Sequence, residues 1–307
     1  MSDRPQRVHI RVPASSANLG PGFDCLAMAL DLWNEVEFCV CGETLVIKNS
    51  GLTSQYVPET ADNMVVQSAK MVYQTAGESF PAGLQIDCTT HIPIRSGLGS
   101  SAAAILAGTA GANALLGSPF TPQQLLALAG TLEGHLDNLA AAMHGGLVLV
   151  LKHVEGGMVK TYSLPEMLLA IATPLVDLST GAMRLVITQQ VLLSDAVANA
   201  ASTAAVLDIL KSGNLEELGQ VMVDRLHQPY RLPLIPGASQ ALAAARGAGA
   251  DAVALSGAGP SLLAFCRTRE TAELSGLAMV KAFEQASQQA SYLVTRPAAR
   301  GIDINLK

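Results

Sequence analysis

Between Pro93 and Ala104 the chain reads PIRSGLGSSAAA, residues whose types and order suit the holding of a phosphate chain. Gly97, Gly99, Ser100 and Ser101 precede a run of helix formers. Several backbone N–H groups are therefore left free and point one way, and the start of a helix adds partial positive charge. The hydroxyls of Ser100 and Ser101 can also reach the metal that travels with a nucleoside triphosphate. Further on, EGHLDN places Glu133 and Asp137 four residues apart. On one continuous helix the two carboxylates would share a face. Facing a phosphate loop, such a pair suits one metal ligand and one group touching an acceptor hydroxyl. A capping or solvated helix end is the plainer reading of the same two residues.

Other glycine motifs fit less well. Gly97, Gly99 and Ala102 satisfy the G-x-G-x-x-A spacing of dinucleotide-binding turns, but that fold also needs an acidic residue about twenty positions on. Here that distance falls in GSPFTPQQ, which has no acid, and no Gly-Lys-Ser/Thr of the ordinary P-loop occurs anywhere. Taken alone, the segment reads equally well as a helix cap with glycines for close packing. However, PASSANLGPGFD (from Pro13) and SGAGPS (from Ser256) share its Gly/Ser/Pro character, and each follows a strand-like run. Three such loops point to convergence on one anionic ligand.

The loops need elements to hold them. Val8, Ile10 and Val12 alternate with His9 and Arg11 at strand spacing, ahead of a loop expected from Pro13 to Asp24. Strand-like runs follow at 33–40 and 44–48, then a helix reaching about Ala76 with Asp62 as its expected N-cap. The run 84–94 is strand-like and feeds the phosphate loop. No charged residue then occurs between Arg95 and Glu133. The stretch from Leu98 to Gly117 is long enough to span a bilayer. Its Ala, Gly, Ser, Thr and Asn gain little from hydrocarbon, so a buried helix under a sheet is expected. Thr121-Pro122 reads as an N-cap with proline at the first helical position, and LVLVLK after Gly145-Gly146 as an apolar strand. EGG at 155–157 breaks the pattern, which places a domain boundary near 155–165. Beyond it the spacing predicts a strand at 168–173, helices over 193–211, 215–226 and 236–248, strands at 252–255 and 262–266, and a final helix over about 270–288. Short strands mixed with helices indicate an α+β or mixed α/β chain.

Bulk properties narrow the class. The 307 residues carry 19 Lys plus Arg against 25 Asp plus Glu with no basic run, which argues against nucleic acid or an anionic membrane as partner. MSDRPQRVHI has no apolar h-region and is not expected to be a signal peptide. The five cysteines are odd in number and none sits at zinc spacing, so they read as reduced packing residues of a cytoplasmic protein.

In order along the chain, the three loops resemble the three motifs of the small-molecule kinase superfamily that contains galactokinase, homoserine kinase, mevalonate kinase and phosphomevalonate kinase. Pro93, Gly97, Leu98, Gly99, Ser100, Ser101, Ala102 and Ala103 match its P-x-x-x-G-L-G-S-S-A-A loop. Ser256, Gly257, Gly259, Pro260 and Ser261 match its third motif. Ala17 to Asp24 (ANLGPGFD) is similar to the homoserine kinase form of the first motif, as are LSTGAMR (178–184) and QPYRLPLIPG (228–237) to two C-terminal segments of that branch. EGHLDN with the Gly-Gly after it resembles E-G-H-P-D-N-x-A-P-x-x-x-G-G. Ala27, Leu136 and Gln228 depart from the family's usual Gly, Pro and Glu.

That resemblance implies an α+β, two-domain fold. The N-terminal domain (1–160) would hold a mixed sheet with helices and the phosphate loop 93–104, and a ferredoxin-like C-terminal domain (161–307) would contribute to the cleft. The implied reaction is transfer of the γ-phosphoryl of MgATP to the side-chain hydroxyl of L-homoserine, giving O-phospho-L-homoserine for threonine biosynthesis. ATP would be met by Asn63, Pro93, Ile94, Arg95, Ser96, Gly97, Leu98, Gly99, Ser100, Ser101, Ala102 and Ala103. Mg2+ would be held by Ser101 and Glu133, while Asp137 would orient the attacking hydroxyl or take its proton. Asn18, Asp24, Asn138, Thr180, Arg184, Arg231 and Gly259 would meet the amino-acid substrate, with acceptors toward its ammonium and guanidinium groups toward its carboxylate. For Asn63 a helix cap is the competing reading. His135 and His144 flank the site as hydrogen-bonding side chains, whereas His9, His91, His153 and His227 carry no usable signal. Homodimers are common in the superfamily, though nothing in this sequence marks an interface. The alternatives are a kinase for another small alcohol, which would make Asp24 and two arginines a poor set, and a non-catalytic ATP or metabolite sensor, which would be expected to have lost Glu133, Asp137 or the loop serines.

Overall fold

A computed structural model describes residues 4–152, 154 and 157–306. Val8, Ile10 and Val12 are almost wholly buried on one face of β1 (Arg7–Asn18), as their alternation requires. β1 runs through most of the segment expected to be a loop. Only residues 19–21 turn, and β2 (Gly22–Cys39) returns antiparallel beside it. Asn18 at φ 73° and Leu19 at φ 46° make this tight reversal possible. β2 is long enough to serve two neighbours. Its second half pairs β4 (Leu84–Thr90), which pairs in parallel with β3 (Leu45–Gly51), and its first half pairs β5 (Leu147–Leu151).

Helices cover one face of this sheet. α1 (Met64–Thr75) is capped by Asn63, whose Oδ1 accepts from Val65 N, and not by Asp62 as the sequence suggested. α2 (Ser100–Leu115), the uncharged helix, is buried along nearly its whole length, and its small residues let it approach β2 closely. A Cβ at Gly111 would lie 2.3 Å from the Phe38 ring. α3 (Pro122–Glu133) opens with the Thr121 cap, completed as a capping box by Gln124. Gly134, at φ 76°, ends it. α4 (Asp137–His144) begins three residues later. Glu133 and Asp137 therefore stand on two helices, one at an end and one at a start, which corrects the expectation of a single shared face.

β6 (Met158–Tyr162) pairs β5, so the first sheet extends past residue 160. Glu155 and Gly156 of the expected break, and His153, lie outside the described residues. The second sheet starts at β7 (Leu168–Pro174). α5 (Thr180–Leu185) and α6 (Leu193–Ser212) follow. The single long helix expected over 215–226 is only a 3-10 turn and the four-residue α7 (Leu218–Val221). α8 (Gln228–Arg231) and α9 (Ala238–Gly247) lead to β8 (Ala252–Leu255), β9 (Leu262–Cys266), α10 (Arg269–Gln285), β10 (Ala290–Thr295) and β11 (Asp303–Leu306). Neither β10 nor β11 was expected from the sequence. The second sheet has order β10-β7-β9-β8, all antiparallel, the strand order of a ferredoxin-like domain, whereas β11 returns to pair β1 in the first.

In the second sheet the alternation of strand residues divides two cores. Leu169, Ile171, Leu263 and Phe265 face the first domain and merge with its core, while Ala170, Ala172, Leu262 and Ala264 face α9 and α10. Among the described residues α6 alone has the length and hydropathy to cross a bilayer, with 22% of its most apolar window buried. Asn199 and Thr203 tie it to the Pro21 carbonyl.

Candidate active site

The three loops meet where the two sheets adjoin. Ser15 N donates to Leu98 O (3.1 Å), Ser256 Oγ to Gly97 O (2.8 Å) and Ser261 N to Ser96 O (3.0 Å). Asn18 Nδ2 donates to Gly257 O (2.7 Å), and Gly257 N to Ala17 O (3.0 Å). Three successive carbonyls of the phosphate loop are thus engaged by the other two loops, which fixes its orientation. Gly99, the N-cap of α2, adopts φ 71° and provides no side-chain cap. The first-turn N–H groups of α2 consequently have no side-chain cap, the arrangement that receives an anion.

Two cavities flank this helix start. The smaller, about 170 Å³, is walled by the phosphate loop, Glu133, His135, Asp137, Asn138, Asp24, Arg184 and Arg231. The larger, about 530 Å³ and more apolar, runs between β2, β4, α1 and α2. Arg95, Ser100 and Ser101 line both. Ile94, Ala103 and Asn63 line the larger one, though the Asn63 amide is already engaged as a cap and by the Pro58 carbonyl. Leu98 and Ala102 are core residues, and Pro93 accepts from Ser96 Oγ. Arg95 reaches across the domains to Asp177 at 2.8 Å. Gly257 and Ala258 line the smaller cavity where Gly259 was expected; Gly259 turns away beside Ile235 and Leu255. Thr180 opens α5, and its side chain lies outside the described residues.

Ser101 Oγ donates to Glu133 Oε2 at 2.7 Å, although 32 residues separate them. A hydroxyl and a carboxylate are hard oxygen donors that fit magnesium, which keeps waters and phosphate oxygens as its remaining ligands. Among the described residues no group of three or more His, Cys, Asp or Glu side chains forms a metal cage. Burial pushes the Glu133 carboxyl up; the Ser101 bond opposes this and Asp137 adds to it.

Asp137 is only 3% exposed at the start of α4. Burial raises its pKa above the ordinary aspartate value, opposed by the N–H of Asn138, which donates to it at 2.8 Å. Nearby Asp24 raises the value further, and Lys152 lowers it. Asn138 Oδ1 accepts from Ser15 Oγ (2.9 Å), which anchors α4 to the first loop. Asp24, at φ 57°, is held by its N–H to Asn18 Oδ1 and forms a 2.7 Å ion pair with Arg184 Nη2. Lys152 Nζ lies 3.8 Å from the other Asp24 oxygen. Arg184 Nε is buried with no acceptor among the described residues. Arg231, 1% exposed, donates to the Met183 and Gly257 carbonyls, and burial lowers its pKa to about 10, so it stays cationic at neutral pH.

Lys152 and His227 are residues of this region that the sequence did not reveal. Lys152 follows an apolar strand whose pattern says nothing of its partner. His227 is a single histidine with Asp224 and Arg231 nearby in sequence but its Nε2 partner, Gly20, remote from it. His135 lines the cavity as a half-buried side chain, its pKa lowered by burial and then by Arg184. His144 closes α4 and lines a different groove, with Leu136 and Val159, that shares no lining residue with this cavity.

Two α+β sheets meeting over a glycine-serine phosphate loop form the architecture of a small-molecule kinase. Residues 63–146 match the family described as GHMP kinases N terminal domain, and residues 206–285 match GHMP kinases C terminal. The chain is 44% identical over 275 residues to the homoserine kinase of Moorella thermoacetica, covering 89% of this chain and 92% of that one. It is 43% identical over 262 residues to a Synechococcus homoserine kinase, covering 84% and 85%. The crystal structure of homoserine kinase from Cytophaga hutchinsonii superposes with TM-score 0.88 at 30% identity, covering 99% of both chains. Mevalonate kinase of L. major, at 15% identity and TM-score 0.67, shares the fold. The chain belongs to the GHMP kinase family and, within it, to the homoserine kinases.

Proposed function

We propose that this protein transfers the γ-phosphoryl group of MgATP to the side-chain hydroxyl of L-homoserine, yielding O-phospho-L-homoserine and ADP. The observation that carries the reading is the charge arrangement of the smaller cavity. Beside the phosphate loop it presents a carboxylate, Asp24, paired to an arginine, Arg184, whose Nε has no acceptor, with Arg231 behind. A zwitterionic amino acid satisfies such a set by exchange. Its ammonium replaces the guanidinium at Asp24, and its carboxylate takes Arg184 and Arg231 in bidentate fashion. An acceptor without an ammonium would leave Asp24 uncompensated.

Adenosine is assigned to the larger apolar cavity and the triphosphate to the start of α2. Ser101 and Glu133 would hold magnesium, which supplies charge neutralisation on the phosphates. Asp137 holds the acceptor hydroxyl in line with the γ-phosphorus and accepts its proton late, since a loose transition state puts little charge on the attacking oxygen. Its raised pKa suits a proton acceptor better than an ordinary aspartate. Threonine biosynthesis and a cytoplasmic setting accord with this chemistry.

The test is ADP release from purified protein with MgATP and, separately, L-homoserine, mevalonate, shikimate or galactose. Turnover with homoserine alone is expected. Equal turnover with an acceptor lacking an ammonium, or none with any acceptor while nucleotide binds, overturns the reading.

A further inference from the structure

Beneath the acceptor cavity lies a titratable group that the phosphoryl transfer does not use. His227 is completely buried, between the turn at residues 19–21 and α8. Its Nε2 is 2.8 Å from the Gly20 carbonyl oxygen, which can only accept, so Nε2 carries the proton. Its Nδ1 is 3.2 Å from Arg231 Nη1, which can only donate, so Nδ1 presents its lone pair. The partners on both sides therefore select the neutral Nε2–H tautomer. Asp224 anchors the segment by accepting from the backbone N–H groups of Leu226, His227 and Gln228, and its Oδ2 lies 3.4 Å from Nε2. The ring stacks on Phe23 at 5.2 Å, and the guanidinium groups of Arg231 and Arg184 sit over the same Phe23 at 5.3 and 5.9 Å.

We infer that His227, as the neutral Nε2–H tautomer, is a positioning residue that sets Arg231 and the turn bearing Asn18 and Asp24 for the carboxylate and ammonium of the acceptor. The inference rests on the proposed homoserine reading for its substrate, but the tautomer stands on geometry alone. One imidazole joins the two halves of the acceptor site: through Gly20 it fixes the strand turn of the first domain, and through Nδ1 it fixes an arginine of the second. Arg231 Nη1 is thereby directed to His227 and the Gly257 carbonyl and Nε to Met183, which leaves Nη2 without a protein acceptor among the described residues. That nitrogen is the one available to a substrate carboxylate.

The arrangement is sensitive to acid. Burial holds the His227 pKa below its ordinary value, and Arg231 lowers it further; Asp224, the Gly20 bond and Asp24 act in the opposite direction. Protonation converts Nδ1 from acceptor to donor, and it then opposes the guanidinium it had oriented. The affinity for the acceptor, and not that for nucleotide, should fall as pH descends through this region.

Two measurements on the full chain test the proposal. The 15N spectrum of the histidine side chains should show His227 with Nε2 protonated and Nδ1 bare at neutral pH, and its Nδ1 signal should move in an Arg231→Lys variant. Kinetically, His227→Phe keeps the stack on Phe23 but removes both hydrogen bonds. It should raise the homoserine KM about tenfold or more, the scale of one lost hydrogen bond to a charged group, with the MgATP KM within about twofold. His227→Gln retains an N–H for Gly20 and covers the case in which the Phe variant fails to fold; it should flatten the acid rise in homoserine KM. The opposite tautomer, an unchanged homoserine KM, or equal rises in both KM values would overturn the inference. If the unmodified protein turned over no homoserine, the substrate reading would fall, while the spectra would still decide the tautomer and its link to Arg231.

Discussion

Asp137 stands at a cost to the fold that the site requires. A carboxylate almost wholly removed from water has its charged form disfavoured, and among the described residues its one direct hydrogen bond is from the next N–H. Because its folded pKa lies above the unfolded one, the native state binds more protons between the two values. Stability therefore falls as pH rises through that window, and above it the buried carboxyl is a net liability to the fold. Asp137→Asn should remove this liability and the proposed proton acceptor together. The expected outcome is a loss of kcat of about 10²-fold or more with an increase in Tm. Calorimetry beside the ADP assay checks both, and an unchanged or lower Tm would contradict the account. Lys152 belongs to the same balance, since it lowers the Asp137 pKa from the far side of Asp24. Lys152→Met should move the acid limb of the kcat profile to higher pH, and Lys152→Arg should leave it near its original position. A pH–rate series on the three proteins decides it.

At the scale of elements, the site is a junction of strand ends and helix starts, and its legibility follows from that. Phosphate binding by backbone N–H groups demands glycine and serine at fixed offsets, so PIRSGLGSSAAA was readable without any partner. The loops at Pro13 and Ser256 were readable for the same reason, although most of the first proved to be strand. Strand pairing of Ala14 to Asn18 with β2 depends on a neighbour that local composition does not report. The separation of Glu133 from Asp137 onto two helices was marked by Gly134, a left-handed stop that the four-residue spacing obscured. Lys152 was not legible because its partner, Asp24, is remote in sequence, and His227 because its local contacts with Asp224 and Arg231 gain a role only once Gly20 closes over the ring. Gly97 is where this junction brings backbone against backbone: it adopts φ 81°, and a Cβ would stand 2.3 Å from Ser256 O. Gly97→Ala should destabilise by about 1–3 kcal/mol from backbone strain alone, increased by the clash, and weaken MgATP binding. Gly77→Ala, also left-handed at φ 71° but with open space around it, isolates the strain. Urea titrations should show Gly97→Ala as clearly the worse of the two; equal losses would mean that the loop contact contributes nothing.

The whole molecule has two sheets but shares one principal core, and this decides how it should unfold. Leu169, Ile171, Leu263 and Phe265 from the second sheet lie in the same apolar cluster as Val8, Ile10 and Leu26 from the first. Val206, Leu210 and Leu218 of the intervening helices fill the space between them. The chain also crosses the divide twice, once after β6 and again when β11 returns to β1. A cut near residue 160 would expose the facing surfaces of both halves and remove β11 from its partner. Separated halves are therefore expected not to fold independently, and the intact chain should lose structure in one cooperative step. Trp33, the only tryptophan, sits on β2 in the first sheet and reports that domain, while far-UV circular dichroism reports both. The two urea transitions should coincide in midpoint. A tryptophan transition displaced from the dichroism transition would show that the second sheet keeps its structure alone. The cavity lined by residues of both sheets' domains would then lose one of its walls before the second sheet unfolds.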